Sequence, residues 1–444
     1  MLIRFTVENF LSFNELIDFN MIASDEDSHT HHIIEGQSQK DIDLLKTSIV
    51  YGANASGKSN LIKAMCFARN FIVDGVAKNR SINVKHYKLD TACAHKPSRF
   101  EFEFRYQNRQ YAYGFSVDKI QVHEEWLFEM GHQLEVPIFE RVGSAISFNF
   151  EHPLFLDASE DEKQEIGYEA RGTRSNLLFI TNCQERNIRR LQFVYKWFAE
   201  TLIIVFTTSK HQALTSIAKL NIEFFNRVIE FFDFGISQIQ IEEIDFEHTN
   251  DIPTSMKEEI LAEFPYGQDT AQFISVSSKN YVIEENEFGG LKVSKLTTIR
   301  TDEMDNIVSF EMSEESEGTQ RLIDFIPMLI GLSRDKVFVI DEIERSLHPL
   351  LIKKLFELVL NHDLFKESKS QLITSTHEVN LLDIKTLFRK DEVWFIEKNQ
   401  TGESVVYSLA NAEVDHLNIV DGYLNGKFGA IPFIKDIKDL GWKD

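Results

Sequence analysis

Cysteine is scarce in this chain. Cys66, Cys93 and Cys183 are the only three among 444 residues, and they lie far apart. That scatter excludes a disulfide scaffold, a paired-cysteine redox motif and a cysteine-rich zinc module, and it fits a reducing cytoplasm. Proline is rare too, with 8 residues against 37 phenylalanines. The balance points to aromatic cores rather than disordered linkers. No apolar run approaches the ~18 residues that would span a bilayer as a helix. The opening MLIRFTVENF alternates apolar and polar residues. A secretory leader would instead place a basic stretch before an apolar one, so neither leader nor membrane anchor is expected. Positive charge is in short supply as well. Lysine and arginine total 47 against 70 acidic residues, for a net charge of −23. This argues against a surface that coats nucleic acid. One local exception is ERNIRRLQFVYK, with Arg186, Arg189, Arg190 and Lys196. It reads first as a solvated helix face, and DNA contact is its alternative reading.

What is present is ordinary globular composition, long enough for two or three domains or one large domain carrying an insert. Residues 2–10 alternate as a strand, with Ile3, Phe5 and Val7 on one face. Residues 23–45 are polar and loop-like; their His29, His31 and His32 could bind a metal, though the composition favours a plain loop. TSIVYG, at 47–52, is a short buried strand, and NLIKAMCFARNFIVDG after it has helical periodicity. From about 98 to 150 alternating runs predict an antiparallel sheet, and two helical stretches are expected within 183–233. Strands return between 236 and 313, and the last part alternates strand and helix as parallel α/β units do. There is no internal repeat and no long heptad array.

Three segments carry chemistry. GANASGKS at 52–59 fits the phosphate-loop pattern. Its backbone N–H groups would converge on phosphate oxygens, and the next helix adds its positive N-terminal end. Lys58 would reach the β- and γ-phosphates and Ser59 would offer its hydroxyl to Mg²⁺. In KVFVIDEIERSLHP, four apolar residues set Asp341 at the end of a buried strand, where ligand crevices of α/β sheets form. Asp341 would hold Mg²⁺ through water, and Glu342 would take a proton from the attacking water. SQLITSTHE ends another apolar strand at His377, expected beside the Asp-Glu strand and within reach of a γ-phosphate. EESEGTQRLI, at 314–323, looks locally like a helix start with Ser316 as its cap.

Taken in this order, the motifs resemble the ABC-type ATPase heads of the SMC and OLD superfamily. FTVENFLSF is similar to that family's opening strand. GANASGKSN is similar to its Gly-x-Asn-Gly-x-Gly-Lys-Ser-Asn loop, with Ala55 in place of one glycine. VFVIDEIERSLHP resembles a Walker B segment followed by a D-loop, with His348 where many transporter relatives carry Asp. TSTHE resembles the switch-histidine segment. SEGTQRL falls where the signature motif belongs, with Glu317 replacing the usual glycine. Within the superfamily the chain looks closest to compact bacterial anti-phage and abortive-infection ATPases of the RloA, AbiL and PARIS types, and DGYLNGKFGAIP at 421–432 resembles a segment near their C-termini.

The resemblance implies an α/β ABC-type ATPase head. It would comprise a mixed or antiparallel β lobe and a parallel-sheet P-loop core, with a short helical and β insert. The expected bounds are 1–175 and 301–444 for the head and 176–300 for the insert. It implies ATP and Mg²⁺ as ligands. Gly52, Asn54, Ala55, Ser56, Gly57, Lys58, Ser59 and Asn60 would bind ATP, with Ser316 and Gly318 reaching the ATP of another copy. Ser59 and Asp341 would hold the metal, and Glu342 and His377 would be catalytic. The expected enzyme is an ATPase that self-associates as an ATP-sandwich dimer or larger homo-oligomer and regulates a separate toxin or nuclease-like effector in anti-phage defence. The insert is too short for an SMC arm, and no Asp-x-Asp pair of a Toprim nuclease follows the last strand. The rival readings are a DNA repair or chromosome-maintenance ATPase, a nonenzymatic scaffold with structural ATP, and a transporter subunit.

Overall fold

The computed structural model describes residues 1–37, 41–131, 134–207, 213–265, 271–276, 279–412, 419–425 and 428. The alternating runs near the N-terminus form one antiparallel sheet of seven strands. Its order is Ala145–Phe148, Glu135–Val142, Val122–Met130, Arg109–Val117, Ser98–Tyr106, Leu2–Glu8, Ile17–Asn20. Period-two alternation in SRFEFEFRY sends Phe100, Phe102 and Phe104 to the buried face. Phe104 stacks on Trp197 with ring centroids 4.4 Å apart, and Phe102 meets Phe198 edge-on at 5.0 Å. Such pairs add about 0.5–1.5 kcal/mol beyond area burial. The abundant phenylalanine is thus spent on this core, as its composition led one to expect.

The second sheet has six strands in the order Leu202–Val205, Val337–Ile340, Gln371–Thr376, Thr47–Tyr51, Val393–Lys398, Ser404–Ser408. The first five run parallel and the last is antiparallel. The expected neighbours are in place: the strand that ends at Thr376 lies between the phosphate-loop strand and the Asp-Glu strand. Register pairs Ile340 with Thr374 and Tyr51 with Thr376. Asp341, Gly52 and His377 therefore leave the sheet at the same, C-terminal edge. The helix Lys58–Val73 buries Leu61, Ile62, Met65, Ala68, Phe71 and Ile72, the 3.6-residue stripe of an amphipathic helix.

Two local expectations are corrected. The helical stretch expected at RNIRRLQFVYKWFAETLI, within 183–233, is not one α-helix: it runs as a 3₁₀ turn at Arg189–Leu191, a short α-helix at Gln192–Lys196 and a π-turn at Trp197–Thr201. Its apolar end then becomes the parallel strand Leu202–Val205. β-branched Ile203, Ile204 and Val205 favour the pleated edge of a sheet over another helical turn. The polar 23–45 stretch also holds a 3₁₀ turn at Thr30–His32 and a two-stranded ribbon, Ile33–Ile34 with Leu44–Leu45.

The contacts divide the chain into two compact units, one of residues 1–207, 332–344 and 353–444, the other of 208–331 and 345–352. The first holds both sheets above. The second contains an antiparallel sheet, Gln238–Asp245, Leu291–Thr301, Lys279–Glu285, Ala271–Val276, with Ile307–Glu311 pairing onto Leu291–Thr301. Phe246, Ile252, Ile260, Phe264, Tyr281, Ile283, Leu291 and Val293 form a core there. Residues 317–331 of the 16-residue helix Glu317–Leu332 belong to this second unit. Among the described residues no helix is long and apolar enough to cross a membrane.

Candidate functional site

The phosphate loop leaves its buried strand at Gly52 and enters its helix at Lys58. Glycine is required where the loop is tightest. At Gly57, φ is +123°, and a Cβ would lie 2.3 Å from Ser404 Oγ; at Gly52 a Cβ would lie 2.4 Å from Ile396 O. Ala55 also sits in the left-handed region, at φ +65°. That conformation costs a non-glycine residue about 1–2 kcal/mol, which explains why related loops favour glycine at this place. Asn54 and Ala55 are exposed at the loop tip, whereas Ser56 and Gly57 are buried.

Lys58 is the charge at the centre. It is 5% exposed. Its ammonium donates to Gly52 O at 2.5 Å and Ala53 O at 3.2 Å, and lies 3.3 Å from His377 Nδ1. Burial lowers its pKa to about 8, against the pull of Glu344, Asp341 and Glu342. No carboxylate among the described residues forms an ion pair with it. The N–H groups of Gly57, Lys58 and Ser59 have no acceptor among the described residues either, as expected for a helix start awaiting an anion. The buried Ser56 hydroxyl is likewise without a partner. A buried cation, free N–H groups and an orphaned hydroxyl fit a triphosphate.

The acidic side is built from strand ends. Ser59 Oγ donates to Asp341 Oδ1 at 3.1 Å, and Ser375 Oγ donates to the same oxygen at 2.6 Å. Ser375 Oγ also accepts Glu342 N at 2.8 Å. That bond holds Glu342 at φ +48°, a conformation glutamate rarely adopts. His377 N donates to Glu344 Oε1 at 2.6 Å, leaving the buried Glu344 Oε2 without a partner. Burial, and then the Lys58 ammonium, push the His377 pKa below its usual value, so its ring is neutral at pH 7. The set has two neutral hydroxyls on one aspartate oxygen and open carboxylate oxygens nearby. Its hard oxygen donors match Mg²⁺.

Four residues of this site were not named from the sequence: Glu344, Ser375, Ser12 and Ser404. Glu344 and Ser375 each stand two positions from a residue that was named. Ser12 and Ser404 support the loop from behind. Ser404 Oγ donates to Ser56 O at 2.5 Å and lies 2.8 Å from Ser12 Oγ, which accepts the Asn60 amide at 2.8 Å. The Asn60 side chain thus braces the loop.

Ser316 and Gly318 lie in the second unit. Ser316 caps the helix Glu317–Leu332, its Oγ accepting Thr319 N at 3.1 Å. A Cβ on Gly318 would meet Ser346 O at 2.7 Å, so close backbone approach alone requires glycine there. The neighbouring acids are accommodated. Glu315 takes both Arg300 amino groups, at 2.5 and 2.7 Å, and Glu314 accepts Glu311 N; Glu317 remains exposed. Two of the four residues of the basic patch are paired with carboxylates. Arg190 pairs with Glu162 and Asp157, and Arg186 with Glu169. In the late DGYLNGKFGAIP segment, Tyr423 packs on Tyr51, with centroids 5.7 Å apart, and on Phe395; residues 426–427 and 429–432 lie outside the described residues.

A phosphate loop between a parallel strand and a helix, with an aspartate from a neighbouring strand end bonded to its serine, defines a P-loop nucleotide-binding protein. The chain belongs to the AAA family described as "AAA domain, putative AbiEii toxin, Type IV TA system", whose family model matches residues 48–383. Among curated proteins none matches. Among solved structures, the SMC head domain from Thermotoga maritima is 13% identical, with a TM-score of 0.37, covering 92% of this chain and 98% of its own. The Smc head with an extended coiled coil bound to the C-terminal domain of ScpA, from Pyrococcus furiosus, is 11% identical with a TM-score of 0.41, covering 96% and 98%. The Smc head with a coiled coil and joint from Pyrococcus yayanosii is 10% identical, also at 0.41, covering 96% and 99%.

Proposed function

We propose that the chain binds and hydrolyses ATP, that two copies associate through it as ABC-type heads do, and that this switch restrains or releases a separate effector in anti-phage, abortive-infection defence. The observation that carries the reading is Lys58, a buried cation that forms no ion pair among the described residues, at a helix start whose N–H groups have no acceptor among them. In this reading Lys58 and the loop N–H groups bind the phosphates, and Ser59 and Asp341 hold Mg²⁺. When bound, the metal supplies charge neutralisation of the phosphoryl group. Glu342 accepts the proton of the attacking water, while Ser375 fixes its backbone. Neutral His377, its backbone N–H held by Glu344, donates from its ring toward the terminal phosphate. Ser316 and the N-terminal end of its helix serve the ATP of the second copy. The family's description, "putative AbiEii toxin, Type IV TA system", supports a place in defence, while the OLD-like reading, with the RloA, AbiL and PARIS types, rests on the resemblance of the sequence motifs alone.

The rival is a DNA-maintenance ATPase of the SMC kind. The acidic balance and the pairing of Arg186 and Arg190 weigh against it. Turnover by the purified chain with and without duplex DNA separates the two. The proposal expects ATP hydrolysis that Lys58→Ala abolishes and that DNA leaves within about twofold, far from the steep stimulation expected of a DNA-dependent motor. No turnover at all would instead favour a scaffold with structural ATP.

A further inference from the structure

We infer that His29, His31 and His32 form a divalent metal site, chemically suited to Zn²⁺, that staples residues 24–34 to the base of the parallel sheet. One ring nitrogen from each histidine lies within 4.8 Å of those of the other two. The rings touch: His31 meets His32 edge-on at 4.4 Å between centroids, and His29 stacks on His32 at 5.1 Å. Three imidazoles with no thiolate among them suit zinc or its first-row neighbours and do not suit Mg²⁺. Zn–N bonds of about 2.1 Å put tetrahedral donors about 3.4 Å apart, so closure requires the His29 and His31 rings to turn and draw their nitrogens in from the present spacing of up to 4.8 Å.

The surrounding bonds select which nitrogens are free. His32 is 1% exposed, and its Nδ1 lies 2.9 Å from Glu392 Oε2, which leaves Nε2 as the ligating atom. A carboxylate holding the far nitrogen is how metal-binding histidines are oriented and made more basic. Glu392 is fully buried and fixed in turn, accepting Thr47 Oγ1 at 2.5 Å and Arg389 N at 2.8 Å. His31 Nε2 lies 3.0 Å from Asn361 Oδ1, which leaves its Nδ1 free. His29 stands at φ +47°, just before the 3₁₀ turn that sets the other two rings side by side.

The loop that carries the cluster is anchored before any ion arrives. The fully buried Arg389 guanidinium donates to the carbonyls of Ser24, Glu26 and Ser28 at 2.6–3.1 Å, and Asp391 accepts from Ser24. Preorganisation of this kind lowers the ordering cost of binding. A plain surface loop has no need of three touching imidazoles with a buried carboxylate behind one of them. Thr47, which shares Glu392 with His32, opens the strand that leads to the phosphate loop.

The test uses the full chain, without a histidine tag and stripped with a chelator. Zn²⁺ is titrated calorimetrically, and Co²⁺ serves as a spectroscopic probe. One equivalent of Zn²⁺ is expected to bind and raise Tm, and Co²⁺ should show the absorption of a nitrogen-ligated ion. His29→Asn and His31→Ala should each weaken Zn²⁺ binding at least tenfold and leave ATP binding unchanged. Glu392→Gln should weaken it about 10–100-fold, the usual effect of losing such a support. Absence of stoichiometric binding by a chain that still binds ATP overturns the inference. So does unchanged Zn²⁺ affinity in His29→Asn, a half-buried position where misfolding is not the concern. ATP binding and Zn²⁺ binding are read separately, so failure of one does not bear on the other.

Discussion

Ser59 Oγ donates to Asp341 Oδ1 at 3.1 Å although the two residues are 282 positions apart in the chain. The parallel sheet makes the meeting: the strand after which Ser59 follows and the strand that ends before Asp341 flank Gln371–Thr376. Ser375, from that middle strand, completes the group at 2.6 Å. Two neutral hydroxyls orient the carboxylate without cancelling its charge, which leaves it fit to attract a cation.

Asp341→Asn keeps the shape and removes that charge. Nucleotide binding without metal should stay within about twofold, while the gain on adding Mg²⁺ should fall about tenfold or more, since hard cations need anionic oxygen. A fluorescent ATP analogue titrated with EDTA and with Mg²⁺ reads both values. An undiminished Mg²⁺ effect would remove Asp341 from the metal site.

Lys58 gives a pH dependence with a definite sign. Its folded pKa of about 8 lies below the ordinary lysine value of 10.5. Between these values the unfolded chain holds more protons than the folded one, so the stability of the nucleotide-free protein rises with pH across that window. The burial penalty, present in full below pH 8, is about 3 kcal/mol as an order of magnitude. Lys58→Met should remove that rise, which thermal melts from pH 7.5 to 10 would show. ATP affinity should run the other way. Above about pH 8 it should weaken up to tenfold per pH unit, because binding needs the ammonium. Flat affinity to pH 10 would mean that Lys58 does not meet phosphate.

Glu342 and Glu344 compete for the role of base, and their bonds distinguish them. Glu344 Oε1 accepts His377 N, a task that a glutamine oxygen can still perform. Glu344→Gln should therefore cost less than about tenfold in turnover, whereas Glu342→Gln should cost about 10²–10⁴-fold and retain ATP. Single-turnover hydrolysis by both variants gives the order. The reverse order would make Glu344 the base.

Glu125 sets the stability of the N-terminal lobe. It is fully buried, accepts Phe179 N at 2.7 Å, Ile180 N at 3.1 Å and Tyr113 Oη at 2.9 Å, and lies 3.5 Å from Arg141. Glu125→Ala should destabilise the fold by about 3–5 kcal/mol, because a buried guanidinium loses its counter-charge and a helix start loses its acceptor. Denaturant melts measure it. A loss below about 1 kcal/mol would mean that water repairs the gap.

The parts of the site written in one stretch of chain were legible: strand, glycine loop and helix around Lys58, and apolar runs ending at Asp341 and His377. The nearness of those strands followed from the parallel pattern. Ser12 and Ser404 were not legible, because a serine becomes a brace only through the register of an antiparallel edge strand that no local spacing encodes. The strand Leu202–Val205 was hidden for a related reason. An apolar run after a helical one has no period of its own, and the π-turn at Trp197–Thr201 that separates them leaves no sequence mark. The histidine cluster read as loop because the Glu392 behind it is 360 residues away.

Ser316 has two roles to separate. It is exposed, and its hydroxyl caps a 16-residue helix through Thr319 N, so truncation to Ala should cost about 1 kcal/mol whatever else it does. Glu315 would be an obstacle beside a triphosphate, but its carboxylate is already held and its charge paired by Arg300, with Thr298 donating to it as well. Only Glu317 stays exposed in the first turn, where it competes with an incoming phosphate for the positive end of the helix. Ser316→Asn keeps a cap of similar strength, while Ser316→Arg adds bulk at the face proposed to meet the second copy. In a Glu342→Gln background, Ser316→Arg should bind ATP with wild-type affinity and fail to dimerise by sedimentation with ATP. Ser316→Asn should melt like the parent and dimerise more weakly, since the hydroxyl proposed for the γ-phosphate is gone. Dimerisation by Ser316→Arg at the parental concentration would reduce this stretch to a helix cap.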